Sequence, residues 1–244
     1  MKNFTNHTLV LSLLFIESFF IGTNLVAAGS QQTTIGSLNV TAEQWSFNLE
    51  KRTTTFSGNV IFGAQNFSVA SDSLQTSLDA SNQVNKLQAI GKPLTVTYRD
   101  KDNNTLKLKA NRLRYTNGSN TIYLTGNVML EGSDNNLSKT TLSANQFIVK
   151  LKDEQLDWVE AKTASGTKKV LFQHMDENSL LNVTAEATKI QYLAKESTVT
   201  FFETLLHHNN DQINAKLLTY NVKDKTFAAP VTGSRISVTK ELAP

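Results

Sequence analysis

The chain has 244 residues, 39% hydrophobic and 18% charged, with a formal net charge of +3, three prolines and no cysteine. That length suffices for one long domain or two small ones with a real core, while the small charge and the lack of a basic cluster interleaved with aromatics argue against a nucleic-acid partner. Proline well below the usual ~5%, with abundant Thr, Asn, Ser, Val and Leu, disfavours disorder and predicts an all-β body.

Residues 1–28 read as an address. Lys2 supplies the positive end, Leu9 to Ile21 is mostly apolar, and Val26-Ala27-Ala28 before Gly29 offers small residues for a signal peptidase. Glu17 argues against a permanent span, although Thr8 to Ala28 is long enough to be a retained anchor. The expectation is cleavage near Gly29 and a periplasmic protein. Export permits disulfides, yet the chain has no cysteine, so strand pairing and burial must supply its stability.

The next signal is a repeat. TTTFSGNVIFG (53–63) returns as TIYLTGNVMLEG (121–132), with Gly58 and Gly126 in equivalent places 68 residues apart. Lining up Ile122, Leu124, Gly126, Val128 and Leu130 with Val199, Phe201, Glu203, Leu205 and His207 gives a third copy 77 residues later, its glycine replaced. Ala42, Ala110 and Ala187 each lie 16 residues before those three positions, and weaker alanine-centred strands surround Ala70, Ala144 and Ala215. The body is six related hairpin-like modules with no linker.

Around these alanines the pattern is apolar-x-Ala-x-x-apolar-x-apolar, as in Val40-Ala42-Trp45-Phe47, Leu108-Ala110-Leu113-Tyr115 and Leu142-Ala144-Phe147-Val149. Alternation means a half-buried strand, and the step of three breaks its parity. A bulge or corner there would keep both apolar sets on one inner side. Ala70 is the exception, since Ser73 and Gln75 take the expected apolar places. Regular corners along one-sided strands predict a sheet folded over on itself, a jelly roll or stacked solenoid. Gly58 and Gly126 interrupt the inward stripes Phe56-Val60-Phe62 and Leu124-Val128-Leu130, either for close packing or a bulge, or to leave room for something that is not protein.

The segments FSGNVIF and LTGNVML, the intervening AIGKPLTVTYRDKDNNTLKLKANRLRY, and LSANQFIVKLKDEQLDWVEAK closely resemble the OstA-like domain family of lipopolysaccharide transport proteins. The resemblance covers roughly Val40 to Lys162 and continues more loosely to about Val238. It divides the chain into a signal (1–28), an OstA-like open β-jellyroll (29–165) and a further related repeat continuing the same roll (166–244). It implies a non-enzymatic carrier whose apolar interior accepts the acyl chains of lipopolysaccharide between inner and outer membranes. Implied partners are an inner-membrane LptC-like and an outer-membrane LptD-like jellyroll, with head-to-tail joining of copies. Candidate groove residues are Trp45, Phe47, Phe56, Gly58, Val60, Phe62, Leu113, Tyr115, Leu124, Gly126, Val128, Phe147 and Val149.

The third copy departs from the family's pattern, because Glu203 and His207 share the parity of its apolar stripe and a carboxylate facing lipid is costly unless paired or wet. The joining edges are expected near Ile35 to Thr41 and Arg235 to Lys240, where apolar and polar residues alternate. One alternative is the membrane-anchored LptC-like partner of the same pathway. Another is a structural β-repeat envelope protein whose core is filled by its own side chains.

No enzyme is expected. The histidines after the signal are His174, His207 and His208, and the last two point to opposite faces of a strand, a poor arrangement for a shared metal. Phosphate-loop, GxSxG and zinc-protease motifs are absent, so no cofactor or metal is expected. Asp72, Asp79, Asp153 and Glu154 read as solvated turns, and the clusters at 103–104, 134–136 and 209–211 as loops. Lys92, Arg99, Arg112 and Arg114 read as solubilising charge that could also meet phosphates.

Overall fold

The structure, a computed structural model, describes residues 31–35, 38–64, 67–80, 84–99, 105–133, 138–152, 155–163, 169–176, 181–193, 195–208, 211–221, 226–229 and 236–240. The expected signal (1–28), Asp153, Glu154, Arg235 and most of the asparagine-rich loops lie outside these residues, as does the side chain of Arg99.

Among the described residues seventeen strands follow one another: β1 (Gln31–Ile35), β2 (Leu38–Ala42), β3 (Gln44–Asn48), β4 (Thr53–Ala64), β5 (Phe67–Leu78), β6 (Val84–Arg99), β7 (Thr105–Thr116), β8 (Thr121–Ser133) and β9 (Ser138–Lys152). Then come β10 (Gln155–Lys162), β11 (Val170–Asp176), β12 (Leu181–Ala187), β13 (Lys189–Leu193), β14 (Thr198–His208), β15 (Asp211–Asn221), β16 (Thr226–Ala228) and β17 (Ile236–Lys240). Every pairing is antiparallel.

The long strands β4–β9, β14 and β15 each serve two sheets. The first sheet contains β1, β2, residues 60–64, 67–70, 94–99, 105–110, 128–133 and 138–144, then β11, β12, residues 204–208 and 211–215, and β17. The second contains β3, the other halves of the same long strands, β10, β13 and β16. Two facing sheets joined by a line of corners make an all-β, open jellyroll of stacked, repeated antiparallel strands. Residues beyond 165 pair directly onto the earlier part through β9–β11 and β10–β13.

The corners fall where the alanine pattern changes step. Register breaks lie between Ser57 and Val60, Ala70 and Ser73, Ile90 and Leu94, Lys109 and Arg112, and Thr125 and Val128. Gly58 (φ +76°) with Asn59 (φ 44°), and Gly126 (φ +82°) with Asn127 (φ 48°), turn two of them in the left-handed region that glycine and asparagine tolerate best. Adjacent corners are stitched together. The Glu43 amide donates to the Gly58 carbonyl at 3.1 Å, and the Thr188 amide and hydroxyl donate to the Phe202 carbonyl at 2.9 and 3.0 Å.

Three expectations need correction. The small corner residue of β5 is Ser71, which is buried, whereas Ala70 is exposed; Val69-Ser71-Leu74-Thr76 restores the common pattern one residue later. In the third copy the left-handed Gly-Asn pair is replaced by Glu203 alone (φ 47°), so the corner is one residue shorter. Inward parity therefore passes from Phe201 to Thr204 and Leu206, not to Leu205 and His207. Glu203 and His207 are accordingly exposed, and neither faces the interior. Finally, β2 is paired on both sides, by β1 and β4, so the first sheet's N-terminal edge among the described residues is β1.

Candidate functional site

Cross-strand ladders line the space between the sheets. In the second sheet Trp45, Phe56, Leu74, Ala89, Leu113, Leu124, Phe147, Ala161, Ile190, Phe201 and Leu218 face one another strand by strand without a polar member. In the first sheet Val40, Phe62, Val69, Val96, Leu108, Leu130, Leu142, Phe172, Ala185, Leu206 and Ile213 do the same. At about 4.8 Å per strand spacing, ten steps make an apolar stripe of roughly 50 Å.

A third ladder lies further from the corners on the second sheet and mixes in hydroxyls: Phe47, Thr54, Thr76, Leu87, Tyr115, Ile122, Val149, Val159, Tyr192, Val199, Tyr220 and Phe227. The interior is thus graded from apolar beside the corners to mixed beside the hairpins. The Ser71 and Thr76 hydroxyls are buried without a hydrogen-bond partner. Burial pushes the Tyr192 phenol up to about 12.

The candidate groove residues divide into three groups. Phe56, Val60, Phe62, Leu124, Val128, Phe147 and Val149 are buried inward, and Leu113 and Tyr115 pack against the same core. Trp45 and Phe47 share the inward side of β3 through their partners Phe56 and Thr54. Because β3 pairs only with β4 among the described residues, no further strand covers them, and they remain 53% and 45% exposed. Gly58 and Gly126 form the third group: a Cβ on either would meet Glu43 or Asn111, the corner residue of the neighbouring strand, and not the space between the sheets. These glycines are corner residues, as the bulge reading held.

The two ends of the stack differ. At the N-terminal end Trp45 and Phe47 stand open. At the other, the Tyr220 and Phe227 rings lie 4.6 Å apart with His208 beside Phe227 at 6.4 Å, and between them and the middle Phe172 of the first sheet meets Phe201 of the second edge-to-face at 5.5 Å. His174, which the sequence left without a place, is buried with Nδ1 2.9 Å from the Thr140 hydroxyl. No group of three or more His, Asp or Glu side chains suited to a metal occurs among the described residues, and no described helix is long and apolar enough to cross a membrane.

Fold and interior together define a double-sheeted antiparallel β-roll with a lengthwise apolar lining. The family model described as "LptA/(LptD N-terminal domain) LPS transport protein" matches residues 39–139, under half of the chain, and it is to this family that the first two repeats are similar. Among solved structures the chain is similar to LptH, the LptA-homologous periplasmic component of the lipopolysaccharide transport device from Pseudomonas aeruginosa. That match has 13% identity and a TM-score of 0.43, over 53% of this chain and 85% of that one. No curated protein matches.

Proposed function

We propose that the chain is a non-enzymatic periplasmic bridge protein of the LptA kind, carrying lipopolysaccharide from inner to outer membrane with its acyl chains between the two sheets. The observation that carries this reading is the unbroken apolar ladder that runs the length of the second sheet and ends in the exposed, inward-facing Trp45. Each methylene crossing water unshielded costs about 0.8 kcal/mol, so a long apolar lining solves the transport problem without chemistry. The match over 39–139 supports the pathway. Its description covers both LptA and the LptD N-terminal domain, and the periplasmic assignment is ours.

Photo-crosslinkers at Trp45, Phe56 or Leu124 should capture lipopolysaccharide, whereas crosslinkers at the outward Ile61 or Met129 should not. Equal capture from both faces refutes the groove. A second reading, a structural repeat protein with no cargo, is favoured by one observation: the inward residues from Val40 to Leu218 already pack into one buried cluster. Mass spectrometry of co-purified lipid separates the two. For lipid to enter, the sheets must part, and we place its entry at the end where Trp45 and Phe47 stand exposed.

Assembly follows from the edges. Among the described residues β1 and β3 at one end, and β16 and β17 at the other, each pair on one side only. Joining such unlike edges is heterologous and produces lines of molecules, which suits contacts with LptC-like and LptD-like jellyrolls and with further copies. Cysteines introduced at Thr33 and Ser237 should give a concentration-dependent disulfide ladder; a monomer at high concentration overturns the assembly.

A further inference from the structure

The outer faces of the two sheets differ in charge. On the ladders of the first sheet's outer face, the described positions carry Lys107, Lys109 and Lys139 against Glu131 and Glu186, a small excess. On the second sheet's outer face the described ladder positions carry Lys86, Arg112, Arg114, Lys150, Lys152, Lys162 and Lys189 against the single carboxylate of Glu160. Asp157 sits just beside this face in the bulge before Trp158. Glu160 is already engaged, 3.2 Å from Lys162 and accepting a hydrogen bond from Gln191 at 2.8 Å. Burial pushes its pKa up, but those two hydrogen bonds and the charges of Lys162 and Lys189 outweigh it, and the carboxyl stays below its ordinary value.

These cations are scattered along the sequence, which shows no such cluster, and the fold brings them onto one face with aromatic rings between them. Arg114 lies over Tyr123 at 5.7 Å and Lys189 over Phe202 at 3.8 Å. Lys150 faces Trp158 across β9 and β10, and both Trp158 and Tyr123 are only partly covered. The band runs from β6 to β14, six strand spacings or roughly 29 Å.

We propose that this outer face is a docking surface for a membrane that exposes anionic phospholipid headgroups, on which a copy not joined into a line lies lengthwise. An extended surface of one sign, carrying half-covered Trp and Tyr among the cations, complements a phosphate layer: the cations meet phosphates and the aromatic rings settle at headgroup level. A nucleic-acid single strand calls for a charged groove, whereas these side chains stand on the outside of a sheet. The docking is independent of any cargo between the sheets.

The test is partitioning of the full chain between buffer and phosphatidylcholine vesicles with and without phosphatidylglycerol, read as the ratio of the two so that apolar insertion cancels. Each cation near the surface is worth about a five-fold change, ~1 kcal/mol. Arg112→Gln with Arg114→Gln should therefore lower the phosphatidylglycerol-dependent binding about 25-fold, and so should Lys86→Gln with Lys150→Gln. Lys107→Gln with Lys109→Gln on the opposite face should change it less than about two-fold. All six residues are exposed, so unchanged thermal melts are expected. Binding that ignores phosphatidylglycerol, equal loss from the Lys107 and Lys109 pair, or displacement of the vesicles by duplex DNA or polyglutamate would each overturn the proposal.

Discussion

Replacing Gly126 with alanine tests the corner assignment most directly. The residue sits at φ +82°, where an L side chain costs about 1–2 kcal/mol. Its new Cβ would stand 2.7 Å from Asn111 Nδ2 and 2.8 Å from Asn111 Cβ. The amide end can swing away, but the Cβ is tied to the backbone, so the overlap adds about 1 kcal/mol after relaxation. The sum, about 2–3 kcal/mol, is a fall in melting temperature of about 4–12 °C for a chain of this size. Urea unfolding of Gly126→Ala beside the double variant Asn111→Ala/Gly126→Ala separates the two parts. The double variant should recover only the overlap, measured against Asn111→Ala alone. Gly126→Asn should cost least, as asparagine tolerates this backbone. An unchanged or raised stability for Gly126→Ala refutes the left-handed corner and revives the idea of a space left for cargo.

Glu203 is the mirror case: Glu203→Gly removes a side chain from a left-handed corner and should stabilise by about 0.5–1 kcal/mol in the same urea assay, the gain being reduced by glycine's unfolded-state entropy. Phe56→Ala and Phe201→Ala empty fully buried sites and should cost about 3–5 kcal/mol each, whereas Phe47→Ala on the open end should leave the melt nearly unchanged and reduce lipopolysaccharide capture. The Tyr192 phenol has its folded pKa, about 12, above the unfolded value near 10, so its contribution is intact below pH 10 and is lost as pH rises towards 12. Tyr192→Phe should flatten that alkaline loss in a pH series of melts.

What the sequence determined by itself was local in origin. A period of two with a step of three after each small residue is carried by adjacent side chains, so strands, corners and their repetition follow from spacing alone, as at Ala42, Ala110, Ala144, Ala187 and Ala215. The inward placement of Phe56, Val60, Leu124 and Val128 was legible for a further reason: a two-residue corner leaves parity unchanged. Only the tertiary structure decided where parity fails, because that depends on how many residues the neighbouring strand allows at a corner. Glu203 turns alone where Gly58-Asn59 and Gly126-Asn127 turn as pairs, which sends His207 outward and Leu206 inward. Ser71, not Ala70, fills the corner of β5, and here the spacing itself pointed the right way, since Val69 and Leu74 hold the pattern's apolar places around Ser71 and polar residues hold them around Ala70. The end of the stack is also a tertiary matter: Trp45 and Phe47 carry the same pattern as Leu113 and Tyr115, and they are exposed because, among the described residues, no strand follows β3 on its outer side.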